Sequence, residues 1–370
     1  MDTIKFQRLL ALVNSALWNT LPDESLFSNM NDKSWNDLYR FAVLHGVLAV
    51  AYDGVMKLPI THQPSMKIRM AWALSTKHIE DKYEYVFNVA NDLSDLFRKE
   101  QINMLVFKGL NLSANYPIPS HREFGDIDIY LFGKHEEGNH LLDKVAVKKK
   151  GSFHYKHSNY YYKDIMVENH AYLLDVNDSV KIQALNQILL EILENNKTEE
   201  KIPKDKLLFP SAEFTALFFI IHAIKHLSTD YLQLRTYCDW ALFLKAYENQ
   251  FNIEKWRNIL EKAGLLEIAE TLTSLTFRWL EVPADLQFPI RSHPEMEEQI
   301  SKEMLYPVFY STCKSEVPWK IFIHKYKRLN SICKRHVTFY GGSLFKHSFY
   351  RFYESFIDHL KCPETIFKNQ

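Results

Sequence analysis

The chain has 370 residues, 46% hydrophobic and 24% charged, which suits a globular protein with apolar residues for more than one core. Its 45 Lys and Arg balance 45 Asp and Glu, so a surface that binds polyanions as a whole is disfavoured and only local patches remain open. Cys238, Cys313, Cys333 and Cys362 form no C-x-x-C pair, the amino terminus is charged at Asp2, Lys5 and Arg8, and the most apolar run, 216–224, is half a membrane span; zinc ribbon, disulfide framework, signal peptide and membrane span are all disfavoured, and a cytoplasmic protein is expected.

Ile4, Leu9, Leu10, Leu12, Val13, Leu17 and Trp18 predict an amphipathic helix over 3–18, with Asp2 or Thr3 as its cap. Further helices are expected at 33–46, 47–57 and 64–99, making 1–99 a helical region that serves as a packing platform. From 100 to 180 the pattern alternates. Strands are predicted at 102–107 and 125–132, helices at 110–116 and 135–147, a tyrosine-rich hairpin at 153–163 and a further extended segment at 164–174. The charged segment 195–206, broken by Pro203, reads as a linker. Beyond it Ser211 caps a helix that buries Phe214, Leu217, Phe218 and Ile221, and helices follow at 254–264 and 266–280, so 181–290 forms a helical domain completing a cleft. The last part, 291–370, interleaves Lys325, Lys327, Arg328, Lys334, Arg335, Lys346 and Arg351 with Tyr326, Phe339, Tyr340, Phe345 and Tyr350. It reads as a helical cap with a solvated basic face, or as a dock for an anionic acceptor, nucleic acid or membrane surface. The fold class is α+β: a small mixed sheet flanked by helical N- and C-terminal regions.

Chemistry concentrates in the alternating part. Over 125–132 the odd positions Ile127, Ile129 and Leu131 are apolar while Asp126, Asp128 and Tyr130 share the other face. Two carboxylates one repeat apart can share divalent ions about 3.5–4 Å apart, and hard oxygen donors suit Mg2+, with Mn2+ next. Upstream, Lys108-Gly109 closes a strand, and glycine at a strand-to-helix turn lets backbone N–H groups approach a phosphate. Arg122 neutralises phosphates or pairs with Glu123. In the later strand Met166, Glu168, His170 and Tyr172 share a face, so Glu168 reaches the aspartates if the strands are neighbours, with Asp164 and Asp175 competing for the role. His222 and His226 lie one helical turn apart without a third ligand, which argues against zinc. Arg235 and Asp239 repeat that spacing as an intrahelical pair, unless they hold the helical domain against the sheet or Arg235 faces phosphates, and Lys225 is a further cation.

The run Leu105-Val106-Phe107-Lys108-Gly109, then Tyr116, Arg122 and Asp126-Ile127-Asp128-Ile129, followed by Val167-Glu168-Asn169-His170, His222, His226, Arg235 and Asp239, resembles the bacterial putative nucleotidyltransferases of the DNA polymerase β-like superfamily. The resemblance implies an enzyme that moves a nucleoside monophosphate from an NTP such as ATP to a hydroxyl acceptor (small molecule, sugar, RNA or protein) and releases pyrophosphate. It makes Asp126, Asp128 and Glu168 the catalytic metal ligands for Mg2+ or Mn2+. Lys108, Gly109, Arg122, His170, His222, His226 and Arg235 become nucleotide contacts. One position departs: many relatives carry serine after the motif glycine, where this chain has Leu110, and Ser113 is the nearest substitute. That departure favours a rival, a nucleotide-binding regulatory protein of the same fold; retention of three carboxylates opposes it. A nucleotidyltransferase toxin is a further alternative.

Overall fold

Two hydrophobic periodicities, one helical and one strand-like, build two cores that meet at a central sheet. In the computed structural model the described residues are 2–148, 155–177, 179–195, 207–229, 231–283, 286, 288–305 and 317–340, with short pieces at 344–345, 348–349 and 352–353. Residues 153–154 of the tyrosine-rich segment, 196–206 of the charged segment, Cys313, Cys362, Lys346, Tyr350 and Arg351 lie outside them. The helices α1 (Asp2–Trp18), α2 (Asp32–Leu44), α3 (Leu48–Lys57) and α4 (Met66–Lys99) precede β1 (Leu105–Phe107), α5 (Gly109–Ser113), β2 (Asp126–Tyr130), α6 (His135–Val145), β3 (Val147–Lys148), β4 (His157–Tyr162) and β5 (Ile165–His170). There follow α7 (Val180–Asn195), α8 (Ala212–Thr229), α9 (Leu234–Tyr247), α10 (Ile253–Ala263), α11 (Leu266–Leu280), α12 (Pro294–Leu305) and α13 (Pro318–Tyr340). The fold is therefore mostly helical around a mixed sheet, as the pattern implied.

The five strands run in the order β1-β2-β5-β4-β3, antiparallel except for the central β2–β5 pair. That parallel pair sets Asp126 against Met166, Asp128 against Glu168 and Tyr130 against His170. On the odd face Val106, Ile127, Ile129 and Val167 pack on Val89, Leu93 and Phe97 of α4 and Leu142 of α6. Gly138 permits this approach, because a Cβ there would stand 2.1 Å from Leu131 Cδ1. The even face carries the acidic residues and is roofed by α8 and α9. Helices from both ends of the sequence share the second core, in which Leu12, Trp35 and Trp72 join Phe214, Trp240 and Leu272.

Two local expectations need correction. Helix 135–147 stops at Val145, and Val147–Lys148 turns extended to pair with Tyr160 and Tyr161. The tyrosine-rich segment is not a hairpin in itself: it supplies β4, which pairs with β5 through Lys163 and Asp164 at φ 49° and 61°. The positive-φ turn carries no glycine, so its usual marker is missing.

The turn between α2 and α3 positions the roof. His45 is fully buried there; Arg235 N–H donates to its carbonyl at 3.1 Å and Leu234 N–H to its Nδ1 at 3.4 Å, which fixes the start of α9. Burial, reinforced by Lys5, pushes the His45 imidazole down to about 4. Above the ordinary histidine value near 6.5 both folded and unfolded chains keep this ring neutral; between 6.5 and 4 only the unfolded chain takes up the proton. This group alone should therefore remove about 3 kcal/mol of stability as pH falls through that window. Urea unfolding between pH 7 and 4 measures it, and His45→Gln should flatten the curve by that amount.

Candidate active site

Period two places Asp128 and Glu168 side by side on the even face. Ligand atoms of Asp128, Glu168 and His170 lie within 4.8 Å of one another, the sole such group among the described residues. His170 is buried, with Nε2 at 2.9 Å from Asp128 Oδ1 and 3.5 Å from Glu168 Oε2. Its Nδ1 lies 3.2 Å from the Tyr172 carbonyl, which can only accept, so Nδ1–H donates and the ring is held in one orientation. Nε2 then faces a carboxylate that also only accepts. A proton or a bound cation must stand between them.

A side-chain cation already reaches this face. Lys108, between β1 and α5, has φ +59°, a strained conformation for a residue with a side chain, and its ammonium pairs with Asp128 Oδ1. Burial opposes ionisation of Asp128, but Lys108 and His170 outweigh it and hold the carboxyl well below the usual range. Asp126 goes the other way: burial and the neighbouring Asp128 charge raise it to about 6. Oxygen donors beside an oriented imidazole, already neutralised by an ammonium, fit a divalent cation.

The acidic face opens into a cleft of about 730 Å³, within the usual range for small-molecule sites. Its roof presents Phe214, Phe218, His222 and His226 at successive turns of α8. The Phe214 and Phe218 rings stack at 5.5 Å, as do Phe218 and His222, so a row of parallel rings runs along the roof with Phe214 fully buried in it. His222 Nε2 lies 2.9 Å from His226 Nε2. Burial, with help from surrounding positive charge, drives His222 well below the ordinary value and His226 down to about 4. One neutral ring donates to the other.

Asp126, Asp128, Glu168, Lys108, Gly109, Arg122, His222, His226 and Arg235 all line the cleft, while His170 lies behind the carboxylates. Asp126, expected as a metal ligand, stands outside the group of three. Arg122 is buried in the cleft wall, where Nε and Nη2 donate to the two oxygens of Asp239 at 2.8 Å each. Tyr116 OH donates to the same carboxylate at 2.7 Å. The intrahelical Arg235–Asp239 pair is thereby pre-empted, and Arg235 Nη1 donates instead to the Glu123 carbonyl at 2.5 Å. Gly109 is needed chiefly for packing, since a Cβ there would meet Phe124 Cβ at 3.1 Å. Ser113 cannot replace a motif serine, because its buried hydroxyl donates to the Leu110 carbonyl at 2.7 Å.

Of the competing carboxylates, Asp164 sits in the β4–β5 turn, whereas Asp175 lines the cleft. Lys156, also in the lining, went unnoticed because no local pattern marks it. In the C-terminal part Arg335 pairs with Glu303 at 2.6 and 2.8 Å and Phe339 is buried, so α13 is a cap packed on α8 with Lys327 and Arg328 exposed.

A small mixed sheet with carboxylates on neighbouring strands, facing a helical roof, has the layout expected of a nucleotidyltransferase core. A family model described as uncharacterised nucleotidyltransferase matches residues 31–281, and the chain belongs to that family. No curated protein and no solved structure matches it. Among the described residues no helix is long and apolar enough to cross a membrane.

Asp239→Asn should leave the Arg122 guanidinium buried without its counter-charge and cost about 3–5 kcal/mol in urea unfolding. A loss below about 1 kcal/mol would show that the pair does not clamp α9 to the sheet.

Proposed function

We propose that the protein is a metal-dependent nucleotidyltransferase acting in the cytoplasm, with 100–180 as its catalytic core and 181–290 completing the cleft. The supporting observation is the register of β2 and β5, which brings Asp128 and Glu168 together beside His170 at the floor of a cleft large enough for a nucleotide. Asp128, Glu168 and His170, with Asp126 alongside, would hold Mg2+ or Mn2+, whose contribution is to polarise phosphoryl oxygens.

The chain's own residues do the rest. The open space of the cleft beneath α8 receives the base. Lys108, drawn off Asp128, follows the negative charge of the phosphates. Arg122 and Asp239 act from behind by holding the roof in place. An acceptor hydroxyl forms a bond to the α-phosphorus as the bond to the β-phosphate oxygen breaks; its proton passes to a cleft carboxylate and pyrophosphate leaves. Placement and charge neutralisation account for most of the acceleration.

The regulatory reading draws support from one feature, the loss of a hydroxyl at Leu110 with Ser113 turned inward. Calorimetry with ATP, CTP, GTP and UTP, with and without Mg2+ or Mn2+, separates the two. One NTP should bind in a metal-dependent manner. Asp128→Asn and Glu168→Gln should each weaken it by at least about tenfold, with melting curves confirming that the variants are folded. Binding that ignores both metal and Asp128→Asn, with no pyrophosphate released in the presence of cell extract, would leave the regulatory reading standing.

A further inference from the structure

The cleft wall at the end of β5 carries a second charged cluster. Lys156 precedes β4, and its carbonyl accepts from Ala171 N–H at 2.8 Å and Tyr172 N–H at 3.1 Å, so its backbone is pinned to the end of β5. Lys225 projects from α8 between His222 and His226. Both ammonium groups approach one oxygen, Asp175 Oδ2, Lys225 at 3.3 Å and Lys156 at 3.9 Å. All three residues line the cleft.

This cluster differs from a structural ion pair. Arg122 and Asp239 in the same cleft are bidentate at 2.8 Å and closed off, whereas these contacts are long and two cations share one carboxylate. The neighbouring charges are mixed, and Asp128 as well as Asp175 favours the Lys156 proton. The Lys156 ammonium is pushed down by burial, with Asp175 pulling up and Lys108 and Lys225 pushing further down. His226 is lowered by burial and then by Lys108 and Lys156. A wall of this kind in a partly dry cleft favours a multiply charged anion, whose several oxygens can meet the two lysines separately where both now approach one Asp175 oxygen.

We infer that Lys156 and Lys225 form the subsite for the terminal phosphates of the nucleotide, and for the pyrophosphate that leaves, with Asp175 as the internal counter-ion that holds the two lysines until phosphate arrives. This rests on the nucleotidyltransferase reading for the identity of the ligand. The acidic strands then take the α-phosphate end and the lysine wall takes the tail, so an extended triphosphate lies along the cleft with its reacting phosphorus at the carboxylates.

Calorimetry on the full chain tests this with pyrophosphate, ATP and AMP as probes. Lys225→Ala and Lys156→Met should each weaken pyrophosphate and ATP by about tenfold while changing AMP by less than about twofold, and Lys225→Arg should restore most of the loss. Asp175→Asn should tighten pyrophosphate several-fold, which a merely structural aspartate would not do. Thermal melts show whether each variant is folded; Lys225, partly exposed, is the variant that decides if Lys156→Met unfolds. If ATP binding needs metal and Asp128 but ignores Lys225→Ala, the subsite is wrong and the enzyme reading survives. If pyrophosphate depends on Lys225 while no nucleotide binds, the anion site stands and the nucleotide reading falls.

Discussion

Burying like charges on one face of a sheet is the constraint around which this molecule is arranged. Parallel pairing of β2 with β5 forces Asp128 and Glu168 together, with Asp126 one repeat away. Carboxylates withdrawn from water at such spacing repel one another and favour protonation, unless positive charge is brought to them. The chain brings the Lys108 ammonium, sets the His170 ring at hydrogen-bond distance from Asp128, and accepts a strained backbone at Lys108 to do so. Asp126 keeps a raised affinity for a proton, first through burial and then through the neighbouring Asp128 charge.

A second charged arrangement decides where the roof sits. Arg122 and Tyr116 come from the segment between α5 and β2, and both close on Asp239 of α9. The start of the same helix is tied to the buried turn at His45. Two anchors from different parts of the chain thus hold α9, and with it Arg235, against the sheet. The N-terminal helices are therefore more than a platform: through His45 they help to set the width of the cleft.

Much of this was legible before any coordinates, and what was not has physical reasons. Period-two alternation put Asp126 and Asp128 on one face and Glu168 with His170 on another, and one-turn spacing put His222 beside His226. That the two acidic faces are the same face depends on β5 lying beside β2, a non-consecutive pairing that no local pattern encodes. Arg122 and Asp239 are 117 positions apart, so a one-turn spacing pointed to the wrong partner for Asp239. The strained residue at the motif turn is Lys108 and not its glycine neighbour, because the glycine's role is to let Phe124 approach. Lys156 acts through its position at a strand end, which tertiary structure alone defines.

The proposed chemistry requires the ammonium on Asp128 to give way to a metal ion when a nucleotide enters. Crystals grown with Mn2+ and a non-hydrolysable NTP would show this directly through anomalous scattering. The account predicts a manganese peak within bonding distance of both Asp128 and Glu168, with Lys108 Nζ displaced from Asp128 toward a phosphate oxygen. Nucleotide bound elsewhere, or no peak at those carboxylates while Lys108 keeps its pairing with Asp128, would contradict it.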